Sequence, residues 1–586
     1  MFSSEQWLAN SGADFYNGVA TQSLRFDKAS TAYLTRTPSS ASNRKTWTWS
    51  GWVKPATVGI SAPFFTATTN SAVSFNGNTF RIYNWNGSSN DYILETNAFY
   101  RDSSAWYHIA VAIDTTQGTA SNRIKVYING EQITSFSTET YPSENFDGFV
   151  NSAAVHRVGS FSHTTSYSFD GYMSDVNFID GLALTPTSFG EFKNGVWIPI
   201  DTSGLTFGTN GFRLQFDQVG VGTASASTIG ADTSGNTNHW TSSGIVASDC
   251  ALPDSPENNF CTLNSNALFQ QGTLSEGNLK FVGDGGNNWD ETSSTFGVSS
   301  GKWYWEVKFL SIQQLNSNIA GIRQTGRTSA GPWYGSNTAV SDIGVEFGVM
   351  DVNGLVTNSS GSGTLTMDIA AGDVVQFRLD LDDNELSVSV DGDDKGKAWD
   401  ITANIEYTPS STVYNSSSVI YNFGQDSSFA GTETATSNTD GNGFGTFHSA
   451  VPSGYLALCT ANLPEPTIGP NSDTQADDHF NTVLYTGDEG TQAITGVGFQ
   501  PDWLWIKVRN EVNSHYIFDS SRGVDQALFS DLTSAEVDYS ATGRMTAFGT
   551  DGFTVETSGS TGTNGNDDTY VAWNWKANGG TTSSNT

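Results

Sequence analysis

The chain has 586 residues, with 26 Lys+Arg against 60 Asp+Glu for a formal net charge of −34, and at about 150 residues per domain it has room for three or four domains. Hydrophobic residues are 37% and charged residues only 15%, while Phe, Tyr and Trp number 36, 20 and 17. That balance excludes both a charge-swollen disordered chain and a helical protein, which spends Glu, Lys and Arg freely.

Residues 1–22 carry Phe2, Trp7, Phe15 and Tyr16 without alternation and are expected to be an N-terminal docking segment. Residues 23–198 are expected to form an antiparallel β-sandwich. Trp47 and Trp49 share one strand face, Tyr107 to Ile113 repeats its larger apolar side chains every second residue, and Ile124, Val126 and Ile128 run up to Asn129-Gly130. Period two buries one face of a strand, and Asn-Gly is the strongest short hairpin turn because both residues accept positive φ. The pattern continues through Phe169-Asp170-Gly171-Tyr172-Met173-Ser174-Asp175-Val176.

Residues 199–280 read as a connector. A second sandwich is expected over 281–425, where Trp303, Trp305, Val307 and Phe309 alternate. There Val375, Phe377 and Leu379 lead through Asp382-Asp383-Asn384 to Leu386, Val388 and Val390, which is a hairpin pattern. Residues 426–477, rich in Gly, Ser, Thr, Asn and Pro, read as a linker. A C-terminal β domain follows over 478–578, then a polar tail over 579–586. Its segment Trp503 to Val508 is apolar on both faces, which predicts a central strand between two layers. The expected fold class is all-β, with tandem antiparallel β-sandwich (jelly-roll) domains.

Several stretches carry a resemblance to known families. Ser23 to Asp27, the Trp-rich strand at 47–52, Trp106 to Ala110, the Val126–Gly130 hairpin and Phe169 to Val176 make the first unit similar to a laminin-G/concanavalin A-like jelly roll. Gly301 to Val307, Gly372 to Val375 and Leu386 to Gly392 make the second resemble a SPRY domain. Asp232 to Trp240, Asp254 to Phe260, Phe499 to Lys507 and Val571 to Trp575 resemble a connector and a C-terminal module of marine bacteriophage structural proteins. The resemblance implies a virion protein made in the host cytoplasm, a tail fibre or surface appendage. Its implied partners are other virion proteins, a host cell-surface glycan or protein, and further copies of the chain, as a trimer if it is a fibre. A head fibre, decoration or tail-assembly protein is the alternative, and a glycan depolymerase a further one.

The charge itself limits partners. No basic run exists to neutralise phosphates, so neither nucleic acid nor an anionic membrane surface is expected as a partner. No stretch reaches the roughly 20 apolar residues of a spanning helix, so membrane insertion is not expected. Met1 to Trp7 lacks the basic and apolar regions of a secretory signal. Cys250, Cys261 and Cys459 are too few for a disulfide framework, although Cys250 and Cys261 are close enough in sequence to pair; free thiols are expected.

No constellation for catalysis emerges, and the chain is expected not to be an enzyme. Gly297 to Gly301 matches G-x-S-x-G, but it leads into a strand where a nucleophile elbow needs a helix. The seven His show no zinc-binding spacing, and His108 sits in a strand as a surface or packed residue. Asp391-Gly392-Asp393-Asp394, Asp440-Gly441-Asn442-Gly443 and Asn90-Asp91 offer oxygens on turns but lack the twelve-residue calcium loop, so no metal and no cofactor are expected. Ligand binding is placed on two loops that mix aromatic rings with amides and carboxylates: Trp85, Asn90, Asp91 and Tyr92 on one, Trp333 and Tyr334 on the other. Rings stack on the apolar faces of sugars, while amides and carboxylates bond the hydroxyls.

Overall fold

The structure, a computed structural model, describes residues 15–161, 167–313, 318–326, 346–350, 354–357, 369–463, 476–556 and 562–577. Two compact units divide the chain, Met1–Leu463 and Pro464–Thr586. Both are β structures, as the alternating side chains demand, and their strands pair antiparallel except for one two-residue strand in the first unit.

The first sandwich is a jelly roll of two facing sheets. One runs in the order Leu24–Phe26, Gly171–Asp180, Thr46–Pro55, Tyr107–Asp114, Ile124–Ile128 and Glu131–Gln132. The other contains Asn90–Phe99, Thr79–Trp85, Ser71–Gly77, Ile60–Ala67, His156–Val158 and Tyr33–Arg36, with Phe136–Thr140 at one edge. Trp47, Trp49 and Val53 point between the sheets and meet Phe64, Ile82 and Leu94 there. Gly51 falls on that same face, where a Cβ would stand 3.1 Å from the Trp49 ring, so the missing side chain makes room for the indole. Trp52 points the other way and packs on His108 with ring centroids 4.9 Å apart. The expected hairpin turn is present: Asn129 has φ 49° and Gly130 φ 82°.

A hairpin of Gly190–Lys193 and Val196–Pro199 covers the outer face of the first sheet. Its Trp197 lies 5.7 Å from the His108 ring, making His108 a packed histidine. Ser50 Oγ stands 2.9 Å from His108 Nε2. The end of the expected docking segment also lies against this unit: Asn17 donates to the Pro199 carbonyl (2.9 Å), and Lys193 Nζ donates to the Phe15 carbonyl (2.6 Å).

The stretch read as a connector is structural. Phe212–Leu214 pairs with Gly171–Asp180 and Thr241–Ser243 with Tyr33–Arg36, completing the first sandwich, while Thr273–Ser275 and Lys280–Val282 join the second. Three-residue strands are too short to show a period.

The second sandwich pairs Lys302–Ser311 with Val374–Asp380, and Val374–Asp380 with Glu385–Val390 as the expected hairpin, in the register of Val375 to Val390, Phe377 to Val388 and Leu379 to Leu386. The stretch read as a linker also belongs here up to Leu463. Phe429, Phe447 and Leu458 are fully buried, and Leu456–Ala457 pairs in parallel with Lys302–Ser311. The buried Glu306 carboxylate holds this arch by accepting from the backbone N–H of His448 (2.8 Å) and Ser449 (2.7 Å).

Buried ion pairs join the two sandwiches. Arg25, fully buried, donates from Nε to Asp249 (2.9 Å) and lies 3.3 Å from Asp426 and 3.4 Å from Glu276. Lys54 Nζ donates to Asp254 (2.8 Å), Asn259 (2.6 Å) and the Phe260 carbonyl (3.0 Å). Buried charges survive only when matched in this way. The three cysteines are buried and free, so Cys250 and Cys261 do not pair.

The C-terminal unit has a six-stranded sheet in the order Phe480–Thr486, Thr569–Trp575, Trp503–Val508, Tyr516–Asp519, Gly523–Phe529 and Val537–Asp538. Thr491–Thr495, Gly552–Glu556 and Met545–Gly549 form a three-stranded sheet. Leu504, Ile506 and Val508 point into the core with Phe553 and Val555. Trp503–Val508 is central within its sheet, as expected, but it is not covered on both faces. Trp503 and Trp505 point away from the core and are part-exposed.

Candidate functional site

Thr79–Trp85 and Asn90–Phe99 form a hairpin of the first sandwich, and the candidate site is its tip. Along Thr79–Trp85, Phe80, Ile82 and Asn84 are buried while Arg81, Tyr83 and Trp85 alternate outward. Trp85, last on the strand, is 37% exposed. The turn closes through Asn86, whose side-chain oxygen accepts from the N–H groups of Ser88 and Ser89 (both 2.9 Å). Gly87 takes φ 98°, a conformation that costs glycine little.

Asp91 is held by two amides. Asn86 Nδ2 donates to its Oδ1 (2.8 Å) and Asn84 Nδ2 to its Oδ2 (2.9 Å). Asn84 is itself buried and accepts from the Phe149 N–H (3.1 Å). The carboxylate is thereby fixed in direction, and each ionised oxygen has a second lone pair to offer a hydroxyl. Asn90 stands opposite Trp85 in the ladder.

Tyr92 does not belong to the site. It is 2% exposed and packs edge-on against Phe146 with centroids 6.2 Å apart, inside the sandwich. Burial pushes its phenol well above the usual tyrosine range. The reason is the strand period: Tyr92 shares a face with the buried Leu94 and Thr96, and the ladder shifts at Asp91 just before it. Trp333 and Tyr334 lie outside the described residues.

Arg81 was missed by the reading of the loop. Its guanidinium sits 4.8 Å from the Tyr83 ring centre, continuing the outward row from Trp85 down the strand. Counting back from Trp85 in steps of two would have found it. Opposite Arg81, Glu95 accepts from Asn76 Nδ2 (3.0 Å) and Thr79 Oγ1 (2.7 Å). The row therefore presents a cation on a ring and then an indole, and the hairpin tip adds an oriented carboxylate on the neighbouring strand. Such a strip can hold a polyhydroxylated ligand by stacking and hydrogen bonding.

The acidic turns serve the chain itself. Asp440 accepts from the N–H groups of Asn442, Phe444 and Ala457 (each 2.9 Å), and Asp391 accepts from the Val374 N–H (2.9 Å). Among the described residues no group of three His, Cys, Asp or Glu could hold a metal ion. A polar cleft of about 350 Å³ opens on the second sandwich between Val374, Asp391, Glu433, His448 and Ser449. Its Glu433 is ion-paired to Lys308 at 2.5 Å. Gly297 to Gly301 ends in a turn at the strand Lys302–Ser311, with Ser300 accepting at its carbonyl from Trp303 Nε1 (2.8 Å).

Residues 27–188 match the profile of the concanavalin A-like lectin/glucanases superfamily, and residues 475–586 match a domain of unknown function, DUF7483. No curated protein matches the chain. Among solved structures, the human HERC1 SPRY domain is 19% identical, covering 28% of this chain and 97% of its own, with a TM-score of 0.23. A candidate carbohydrate binding protein from Bacteroides ovatus is 14% identical with a TM-score of 0.28, and covers 38% of this chain. The chain spans 58% of the length of that protein. A heptameric SAP-like pentraxin from Limulus polyphemus is 16% identical, covering 28% of this chain and 78% of its own, with a TM-score of 0.22.

Proposed function

We propose that the protein is a non-enzymatic adhesin of a virion appendage, binding a host-surface glycan through the outward row on the first sandwich. The observation that carries this reading is the exposed Trp85 indole at a hairpin tip that also carries the Asp91 carboxylate, which Asn84 and Asn86 hold in place. The lectin-type superfamily matched over residues 27–188 supports sugar as the ligand. The resemblance of the connector and C-terminal module to phage structural proteins supports the virion. A shallow site of this kind binds weakly, and several copies on one particle raise the effective concentration by large factors.

The test is binding of the full chain and of Trp85→Ala to an array of bacterial surface glycans. Retention on a subset of glycans, at least tenfold weaker for Trp85→Ala, is expected. No retention on any glycan, or equal retention of both proteins, defeats the proposal. Release of reducing ends from a bound polysaccharide would defeat its non-enzymatic part.

A further inference from the structure

Lys54 Nζ has three acceptors at the junction of the first sandwich with the segment leading to the second. They are Asp254 Oδ2 at 2.8 Å, Asn259 Oδ1 at 2.6 Å and the Phe260 carbonyl at 3.0 Å. The Lys54 and Asp254 side chains are fully buried, and the Tyr172 ring lies 5.6 Å from Nζ. A buried ion pair needs only matched charge and hydrogen bonds, which Arg25 and Asp249 also have. The Lys54 site differs in chemistry. An amine can become a nucleophile where a guanidinium cannot, and one of its acceptors is a carboxamide, which carries a group that can leave.

The amide is held at both ends. Asn259 Nδ2 donates to the Ser104 carbonyl (2.7 Å), and the Asn259 N–H donates to Thr460 Oγ1 (2.9 Å). A C=O bond is about 1.23 Å, so Asn259 Cγ stands no more than about 3.8 Å from the lysine nitrogen. Reacting atoms poised for attack lie about 3–3.5 Å apart, and the broad terminal torsion of asparagine lets the amide turn its carbon towards Nζ. Asp254 is placed as the base. Its Oδ2 receives the lysine N–H, while Oδ1 accepts from Trp106 Nε1 (3.2 Å) and the Phe260 N–H (3.3 Å). Burial raises its carboxyl above the ordinary value, which favours its keeping a proton.

We propose that Lys54 and Asn259 join in an isopeptide bond, with Asp254 as the catalytic proton acceptor. The Lys54 ammonium passes one proton to the Asp254 carboxylate, and the neutral amine adds to Asn259 Cγ. The new Nζ–Cγ bond is kept and the Cγ–Nδ2 bond breaks. A second Nζ proton moves to Nδ2, which leaves as ammonia. The product is a secondary amide beside a neutral carboxyl, so the site sheds both buried charges and consumes no oxidant or co-reactant. Asn259 is only part-buried, which gives ammonia a way out. Folding and the ion pair come first, because they bring the three groups together. Conversion is slow, because the ammonium starts fully hydrogen-bonded. The bond ties the strand Thr46–Pro55 to a residue 205 positions downstream, whatever ligand the first sandwich takes.

Intact mass and peptide mapping of the full chain, fresh and after a week folded at neutral pH, test it. A species lighter than the sequence mass by one ammonia is expected to grow with time. Proteolysis of that species should yield one branched peptide holding both Lys54 and Asn259. Asn259→Ala leaves the Lys54–Asp254 pair in place and is expected to fold and keep its full sequence mass. Asp254→Asn removes the proton acceptor and is expected to slow linkage at least tenfold. Should that variant fail to fold, the other two proteins still decide. Full sequence mass in the aged chain, with Lys54 and Asn259 on separate peptides, overturns the proposal. So does loss of ammonia confined to the Asn259 peptide, which is ring closure onto its own backbone. Linkage at an unchanged rate in folded Asp254→Asn overturns the role given to Asp254.

Discussion

Lys54 Nζ of the first sandwich stands 2.8 Å from Asp254 Oδ2 of the segment leading to the second, with the two side chains 1% and 0% exposed. The amide oxygen of Asn259, the Phe260 carbonyl and the Trp106 indole N–H complete the shell around the pair. Removing one ion strands the other in a dry site, which costs about 3–5 kcal/mol. Lys54→Met is therefore expected to lower stability by that order, and Lys54→Met combined with Asp254→Leu by less. Urea unfolding of the three proteins checks this, and a double variant worse than the single one would contradict it.

Acid sensitivity follows from two buried imidazoles. Burial pushes His108 down to about 3 and His156 to about 4, from an ordinary 6.5. His156 Nε2 accepts from the Asn151 N–H (3.0 Å), while its Nδ1 faces the Ala154 carbonyl at 2.8 Å, a pattern that suits the neutral ring. The unfolded chain takes up protons near pH 6.5 and the folded chain does not, so stability falls as pH drops below 6.5. The slope is about 1.4 kcal/mol per pH unit for each ring. It ends near pH 4 for His156 and near pH 3 for His108. Urea midpoints at pH 7 and pH 5 should differ accordingly, and an imidazole resonance titrating near 6.5 in the folded protein would refute the assignment for that ring.

Gly130 links a turn to a covering hairpin. A Cβ there would lie 2.3 Å from the Trp197 ring, on a backbone with φ 82°. Gly130→Ala therefore meets both a steric and a conformational penalty, and a loss of more than about 2 kcal/mol is expected. Trp197 should become more exposed, and quenching of its fluorescence by iodide reports this. Unchanged stability would mean the hairpin moves aside freely.

Trp85 and Tyr92 lie on adjacent strands of one hairpin and should behave oppositely. Trp85→Ala is expected to change stability by less than about 0.5 kcal/mol, whereas Tyr92→Ala empties a core site and costs about 3–5 kcal/mol. Thermal melts of the two variants separate the roles. A large stability loss for Trp85→Ala would make it a packing residue.

The strands are legible because their apolar residues alternate, and the hairpin of Val375, Phe377 and Leu379 with Leu386, Val388 and Val390 is legible from two alternating runs around a polar turn, although its register is not. Asn129-Gly130 was legible because few other pairs accept two positive φ values. The arch over residues 426–463 was not, because a Ser- and Gly-rich composition says nothing about which polar atoms are buried. There Asp440 satisfies three backbone N–H groups, and that is what lets Phe429 and Phe447 reach the core. In the candidate site the loop's polar tip pointed to Trp85 and Asp91. Tyr92 was misplaced because residue type was weighed and strand parity was not. Trp503 and Trp505 show the converse: apolar residues on both faces read as a strand covered on both sides, whereas the face that carries these two rings is part-exposed.

Arg25 has one further consequence, which concerns time. Its guanidinium is matched by Asp249 and by Asp426, the latter 401 residues downstream. At about 5–20 residues per second a ribosome takes roughly 20–80 s to supply that last carboxylate. Until then the leading sandwich holds a cation that lacks part of its counter-charge, so its final docking waits on late synthesis.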